Sequence, residues 1–336
     1  MAPSLIPGWR HHPGWHCAST ALSDATAFLG HPLSEPMCFG LGAGLGFAYL
    51  SGDAFYPTRF TATRSRILEM NFFENLGLKR VWLQDPDPDH ALAEAKAAAD
   101  QGVPILMRAD LFHLDYYQSK AHFPGHVILF YGYDDEAKTA FVADTERPGL
   151  QTVPQASLKK ARFSDQPGYT VLADHFRVDW KLPPSDLRPA LRRALVKQAK
   201  DLINPDYAEA GVFGYPALKR AVADLPEWGE TKDWKWSARW FYQVIEKRGT
   251  GGGAFRKLYA RFLEEAARLD PALAKIAPAQ EMFSISDEWS KLSQLLKAIS
   301  EKDRPEGFDK AAALLAETQN QEQRLMKRIL AARELQ

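Results

Sequence analysis

Residues 125–144 read Gly125-His126-Val127-Ile128-Leu129-Phe130-Tyr131-Gly132-Tyr133-Asp134-Asp135-Glu136-Ala137-Lys138-Thr139-Ala140-Phe141-Val142-Ala143-Asp144. Two apolar, β-branched and aromatic runs, 126–133 and 139–144, flank a polar Asp-Asp-Glu-Ala-Lys turn, the pattern of an antiparallel strand pair. If the turn is centred on Asp135, positions summing to 270 face each other and His126 lies opposite Asp144. Directly opposed residues have Cβ atoms about 5 Å apart. A carboxylate at that range fixes an imidazole's tautomer and orients its ring. The assumption is sensitive, because a slip of one residue turns the two onto opposite faces.

Upstream of this pair stands Gly14-Trp15-His16-Cys17-Ala18-Ser19-Thr20. Ala21, Leu22, Ala25, Phe28 and Leu29 continue it at helical spacing, so a helix is expected over 17–29 with Gly30 as its stop. A cysteine in the first turn feels the positive end of the helix dipole and unpaired backbone N–H groups, which favour the nucleophilic thiolate. By itself a single cysteine reads as a small core residue. Cys17 together with His126 and Asp144 makes the order Cys…His…Asp, the chain order of papain-like enzymes.

The surrounding chain has the composition of an ordinary two-part protein. It holds 336 residues, 46% hydrophobic and 25% charged, with 42 basic and 42 acidic side chains. That balance gives no reason to expect nucleic acid or an anionic membrane surface as partner. No apolar run reaches the ~18 residues of a membrane span. The first nine residues lack the basic-then-apolar order of a secretory signal, and two cysteines make no disulfide framework, so a cytoplasmic location is expected. Helices are expected over 64–76 and 88–101, the latter with Asp87 as N-cap, and a strand over 103–107. The linker candidate is Trp180-Lys181-Leu182-Pro183-Pro184-Ser185-Asp186, where two prolines stop regular structure. Beyond it come apolar spacings for helices at 187–202, 215–223, 238–247, 254–269, 288–299 and 308–335. Residues 1–185 carry a net charge of −4 and residues 186–336 one of +4. The expected fold class is α+β: an N-terminal domain with an antiparallel sheet over 1–182, then a helical domain over 183–336.

The N-terminal stretch resembles the N-terminal domain of the butirosin biosynthesis BtrH-like proteins, relatives of the bacteriocin-leader cysteine peptidases. The likeness rests on His16-Cys17, Leu33-Ser34-Glu35, Phe39-Gly40-Leu41-Gly42-Ala43-Gly44-Leu45-Gly46-Phe47, Gly102-Val103-Pro104-Ile105-Leu106, 125–134 and Val142-Ala143-Asp144. The second half is similar to the helical domain of unknown function that commonly follows, through 252–263 and Trp289. The resemblance implies a papain-like fold with Cys17 as nucleophile, His126 as base and Asp144 as orienter. It implies acyl transfer from a thioester, on an acyl carrier protein or coenzyme A, to a small-molecule amine, without a cofactor. Hydrolysis by the same triad (peptidase or amidase) and a non-catalytic binding protein are the rivals. A homo-oligomer is left open.

Many papain-like enzymes place a glutamine several residues before the cysteine as an oxyanion donor. Here the six-back position is His11, and no glutamine precedes residue 84. Oxyanion or pocket candidates are therefore His11, His12, Trp15, His16, Glu35, Gly42, Gly44 and Tyr133. Losing such a donor can lower a rate ~10²–10³-fold, and a thioester is the easier acyl donor for a weaker oxyanion hole.

Other features take plainer readings. Gly40, Gly42, Gly44 and Gly46 alternate but do not make a dinucleotide or phosphate loop, and small residues at one parity let a backbone or a substrate approach. His12 and His16 complete no zinc signature, so no metal is expected. Trp228, Trp234, Trp236 and Trp240 read as core. The run 249–253 before a basic helix reads as a loop, with an anion site as the alternative. Asp110, His113, Asp115 and Tyr116 sit in a loop that borders the site or makes turns.

Overall fold

The computed structural model describes residues 3–166, 169–181, 186–205 and 212–335. The chain forms two compact units, one of residues 1–38 and 78–183, the other of residues 39–77 and 184–336. A single cut after residue 182 does not describe segment 39–77. Residues 182–185 of the expected linker lie outside the described residues.

The first unit is built on an antiparallel sheet of β1 (Ile105–Ala109), β2 (His126–Asp134), β3 (Thr139–Ala143), β4 (Gln151–Pro154) and β5 (His175–Arg177). Their order is β5-β1-β2-β3-β4, and Ser4–Leu5 pairs with the far end of β2. β2 is buried at every residue from His126 to Gly132, which is why its sequence is apolar at both parities. Helices α1 (Cys17–Phe28) and α2 (Pro88–Asp100) pack against it. α2 starts as its sequence directs: Asp87 caps it by accepting from the N–H groups of Asp89 and His90, with Pro88 in the first turn. α3 (Gln155–Arg162) packs on β1 and β4.

The strand pair exists, but in another register. Asp134 Oδ1 accepts from the N–H groups of Glu136 and Ala137, both at 2.9 Å, which makes a turn over 135–138 with Asp134 opposite Thr139. An irregularity between Phe130 and Gly132 then shifts the pairing, so that Leu129 faces Ala143. Continued one residue, that register sets Asp144 against Ile128 rather than His126. His126 stands two residues along on the same face, a diagonal neighbour that long side chains still reach.

The second unit begins with a hairpin, Leu45–Ser51 with Arg59–Arg64, followed by a helix over Leu68–Asn75. The expected helix over 64–76 is therefore wrong in its first turn. Arg64 ends a strand whose Thr61 and Thr63 favour extended structure. The alternating glycines follow from close packing. A Cβ on Gly46 would lie 2.5 Å from the Arg64 backbone, and one on Gly40 would fall inside the Phe262 ring contact. The helices are α4 (Arg188–Ile203), α5 (Gly214–Asp224), α6 (Trp234–Glu246), α7 (Arg256–Leu269), α8 (Ala279–Ser300) and α9 (Phe308–Ala331). Each contains most of an expected segment; α8 starts nine residues earlier than expected. Trp228 is fully buried against Tyr49, Phe241 and Phe308. At the loop 249–253 the Gly253 N–H donates to Glu246 at 3.2 Å and the Gly252 N–H to the Thr250 hydroxyl at 3.0 Å, and Arg256 is buried, so these two donors are taken up within the protein. Among the described residues no helix is long and apolar enough to cross a membrane.

One ionic contact lies at the centre of the second unit. Arg256 and Glu322 are both fully buried and meet in a bidentate pair, each contact 2.8 Å. Glu322 also accepts from Tyr215 and Trp289, and Arg256 donates to the carbonyls of Thr63 and Ala254. Breaking such a pair strands a charge, whereas replacing both partners with apolar residues does not. Arg256→Met is expected to lower stability by about 3–5 kcal/mol. Arg256→Met with Glu322→Leu should recover only part of that loss, as read from urea unfolding midpoints, because Tyr215, Trp289 and the Thr63 and Ala254 carbonyls lose their partners.

Candidate active site

Cys17 occupies the first turn of α1 because the loop before it is tied down at three points. His16 is the N-cap, its backbone extended and its buried ring accepting from the Ser19 N–H at 3.3 Å. Glu35 accepts from the N–H groups of Trp15 and His16 at 3.0 and 2.7 Å, and from the hydroxyls of Ser19 and Thr20. Gly14 donates to the carbonyl of Thr145 at 2.9 Å, which joins the cysteine loop to the residue after Asp144. A Cβ on Gly14 would come within 2.2 Å of Thr20 Oγ1 and 2.7 Å of Glu35 Oε2, so the loop closes only around glycine. Burial raises the Glu35 carboxyl pKa, against the four donors that lower it.

His126 starts β2 opposite Ala109, whose small side chain leaves room for the ring. Its Nε2 meets Asp144 Oδ1 at 2.8 Å and Oδ2 at 3.0 Å, and both residues are buried. The ring is also hydrogen-bonded to the Cys17 side chain. With Nε2 on the carboxylate, Nδ1 is the nitrogen left for sulfur. Asp144 has further donors in Tyr116 (2.5 Å), Thr145 (2.9 Å) and Tyr117 (3.3 Å). Burial works against a charged His126, yet Asp144 and then Cys17 outweigh it and push its pKa up to about 10. Burial likewise opposes the Asp144 charge, and His126 with the hydroxyl donors overcomes it, so that carboxyl titrates below its usual range.

The three expected site residues thus come together, and most of the surrounding candidates do not open onto them. His11 Nδ1 is held by Asp24 at 2.6 Å, and the His12 N–H donates to the same carboxylate. Burial is the largest single influence on His11 and lowers its pKa, but Asp24, then Asp144 and the Arg147 backbone, together raise it above the ordinary value. The backbone N–H of Trp15 is taken by Glu35 while its indole is exposed. His16 and Glu35 serve the helix cap described above. Gly42 and Gly44 belong to the second unit, where a Cβ would strike Leu68 and the Phe39 ring, so packing accounts for them. Tyr133 donates to Asp100 and lies seven residues along β2 from His126, ~23 Å at ~3.3 Å per residue.

Of the loop residues, Tyr116 reaches the site and Asp110 is structural. Asp110, His113 and His122 bring ligand atoms within 4.8 Å of one another. However, Asp110 accepts from Phe112, Phe123, Ser164 and His122. Its 2.6 Å contact to His122 Nδ1 is a hydrogen-bond distance. Two ligands of one tetrahedral zinc would stand about 3.3 Å apart, given bonds of ~2.0–2.1 Å. Sequence reading missed Tyr117, Thr145 and Asp24. Tyrosines and threonines carry no motif, and the turn that gathers them forms only when the sheet does.

Two family models match the chain in succession. The model for butirosin biosynthesis protein H, N-terminal, matches residues 16–145, the segment that contains Cys17, His126 and Asp144. The domain of unknown function DUF4872 matches residues 156–329, just over half of the chain. The chain belongs to the family that carries this helical domain behind a butirosin biosynthesis protein H N-terminal domain. Among curated proteins none matches it significantly.

The buried pair makes stability depend on pH in a defined direction. His126 gains a partner on folding, so its contribution is complete below pH 6.5 and fades as pH rises through about 10. The lowered Asp144 contributes fully above 3.8 and is lost as pH falls through its folded value. The melting-temperature difference between wild type and Asp144→Asn should therefore be widest from about pH 4 to 6.5 and shrink toward both ends. A difference that stays constant up to pH 10 contradicts the pair.

Proposed function

We propose that the protein is a papain-like cysteine acyltransferase, an amide synthase of natural-product biosynthesis. Cys17 is the nucleophile, His126 the general base and Asp144 the residue that orients the ring. The observation that carries the reading is a thiol in the first turn of a helix, hydrogen-bonded to an imidazole whose far nitrogen is held by a buried carboxylate. The membership in a family whose N-terminal model is named for a biosynthesis protein supports an assembly reaction over protein turnover.

Three elements of the site correspond to three steps. The Cys17 thiolate attacks the carbonyl of an acyl thioester, on a carrier protein or on coenzyme A. The Cys17 N–H, in the first turn of the helix, is the donor assigned to the developing oxyanion. The donor C–S bond breaks, His126 protonates the departing thiol, and an acyl-Cys17 intermediate remains. A small-molecule amine then attacks, His126 takes its proton, the Cys17–acyl bond breaks and the amide leaves. Asp144 stabilises the imidazolium, present at the start of the cycle and formed again when the amine gives up its proton.

Intact mass after exposure to acyl-coenzyme A and acyl-pantetheine thioesters tests this. Wild type should gain one acyl group, and Cys17→Ala none; equal adducts on both would end the proposal. With an amine added, an amide product supports transfer. Release of free acid only, at every amine tried, makes the protein a hydrolase on the same triad.

A further inference from the structure

The side of Asp144 that does not face His126 is closed by an aromatic pair. Tyr116 and Tyr117 lie in a short 3-10 turn, Asp115–Tyr117, and both hydroxyls point at the carboxylate, Tyr116 to Oδ2 at 2.5 Å and Tyr117 to Oδ1 at 3.3 Å. The Tyr117 ring meets His126 edge-on, with centroids 5.4 Å apart and planes at 84°. Its hydroxyl is 3.5 Å from His126 Nε2. Arg147, from the turn after Asp144, lays its guanidinium over Tyr117 at 4.6 Å and over Tyr116 at 5.7 Å. Burial, then the charge of Asp144, holds both phenols protonated far beyond the ordinary range, so toward the carboxylate they act only as donors.

We infer that Tyr116 and Tyr117 are positioning residues, which clamp the Asp144 carboxylate so that it holds the His126 ring toward Cys17, with Arg147 stacked on their rings to keep them in place. The inference rests on the reading of Cys17 as nucleophile for its consequence. Its geometry stands apart from that reading. A carboxylate with one histidine partner can rotate and present either oxygen. Phenol hydroxyls on Oδ2 and Oδ1, the Thr145 hydroxyl and the imidazole on Oδ1 restrict that rotation. The edge of the Tyr117 ring also bars the imidazole from swinging away, because a buried ring turns only into space its neighbours leave.

The charged and titratable groups that bear on Asp144 come from four segments: His126 from β2, Tyr116 and Tyr117 from the 3-10 turn, Arg147 from the turn after Asp144, and His11 from the loop before α1. Glu146 and Cys17 act on Tyr117 as well. Of these groups only the two phenols are neutral donors, so removing them changes hydrogen bonding without changing net charge. Loss of donors to an ionised carboxylate raises its pKa.

The test uses the full chain with Tyr116→Phe, Tyr117→Phe and both, labelled at the aspartate carboxyl carbons. The carbon-13 titration midpoint of Asp144 should rise in each single variant, and by about one pH unit in the double. The alkylation rate of Cys17 by iodoacetamide, with buried Cys38 as reference, should show its acid limb moving to higher pH by a similar amount. In an Asp144→Asn background the same tyrosine changes should leave the limb where Asp144→Asn alone puts it. An unmoved Asp144 midpoint, or a rate lowered equally at every pH, overturns the clamp. The catalytic reading fails separately, if wild-type Cys17 is alkylated no faster than Cys38, and the carbon-13 midpoint still decides the clamp in that case.

Discussion

The first unit depends on a buried ion pair, the 2.8 Å contact between His126 and Asp144. Neither charge has water to stabilise it, so each requires the other, and both require hydrogen bonds to their remaining atoms. That requirement explains the architecture around them. A strand pair brings the two chains together, a small residue on the neighbouring strand leaves space for the ring, and a turn supplies hydroxyls to the carboxylate. A buried pair of this kind adds little net stability compared with apolar packing. Its value lies in keeping an imidazole protonatable and oriented where hydrocarbon would be the cheaper filling.

The cysteine loop is built on the same logic from the other direction. Helix α1 begins with backbone N–H groups that lack helical partners. Two N–H groups of the preceding loop and two hydroxyls of the first turn go to Glu35, and the Ser19 N–H goes to the His16 ring. Gly14 permits the tight approach and sends its own N–H to Thr145, beside Asp144. The loop before Cys17 and the residue after Asp144 are therefore tied through one hydrogen bond of the backbone. The second unit shows a parallel economy, since Arg256 and Glu322 satisfy each other and Glu322 also accepts from Trp289 and Tyr215.

The comparison between expectation and structure is instructive at particular residues. Asp87, Pro88 and the alanines after them make α2 where local chemistry says they should. The hairpin at 45–64 was not legible, because the alternating glycines admit a close backbone approach without naming the partner, which for Gly46 is the backbone of Arg64. Of the oxyanion and pocket candidates, His11 and His12 go to Asp24, and Trp15, His16 and Glu35 go to the start of the helix. Tyr117 and Thr145, which touch Asp144, are of residue types too common to draw notice.

What the amino-acid order determined by itself is a set of local commitments: a helix that starts at Cys17, two strands around a polar turn, a helical second half, and the chain order Cys17, His126, Asp144. These follow from periodicity, capping and turn chemistry, which act over a few residues. Only the tertiary structure decided which atoms meet. The Asp134 turn and the irregularity at Tyr131 set a register that makes His126 and Asp144 diagonal rather than opposite. The packing of the 115–117 turn against β4 brought two phenols onto the carboxylate. Such contacts join segments far apart in the chain, and their geometry depends on shape and desolvation that no local stretch encodes.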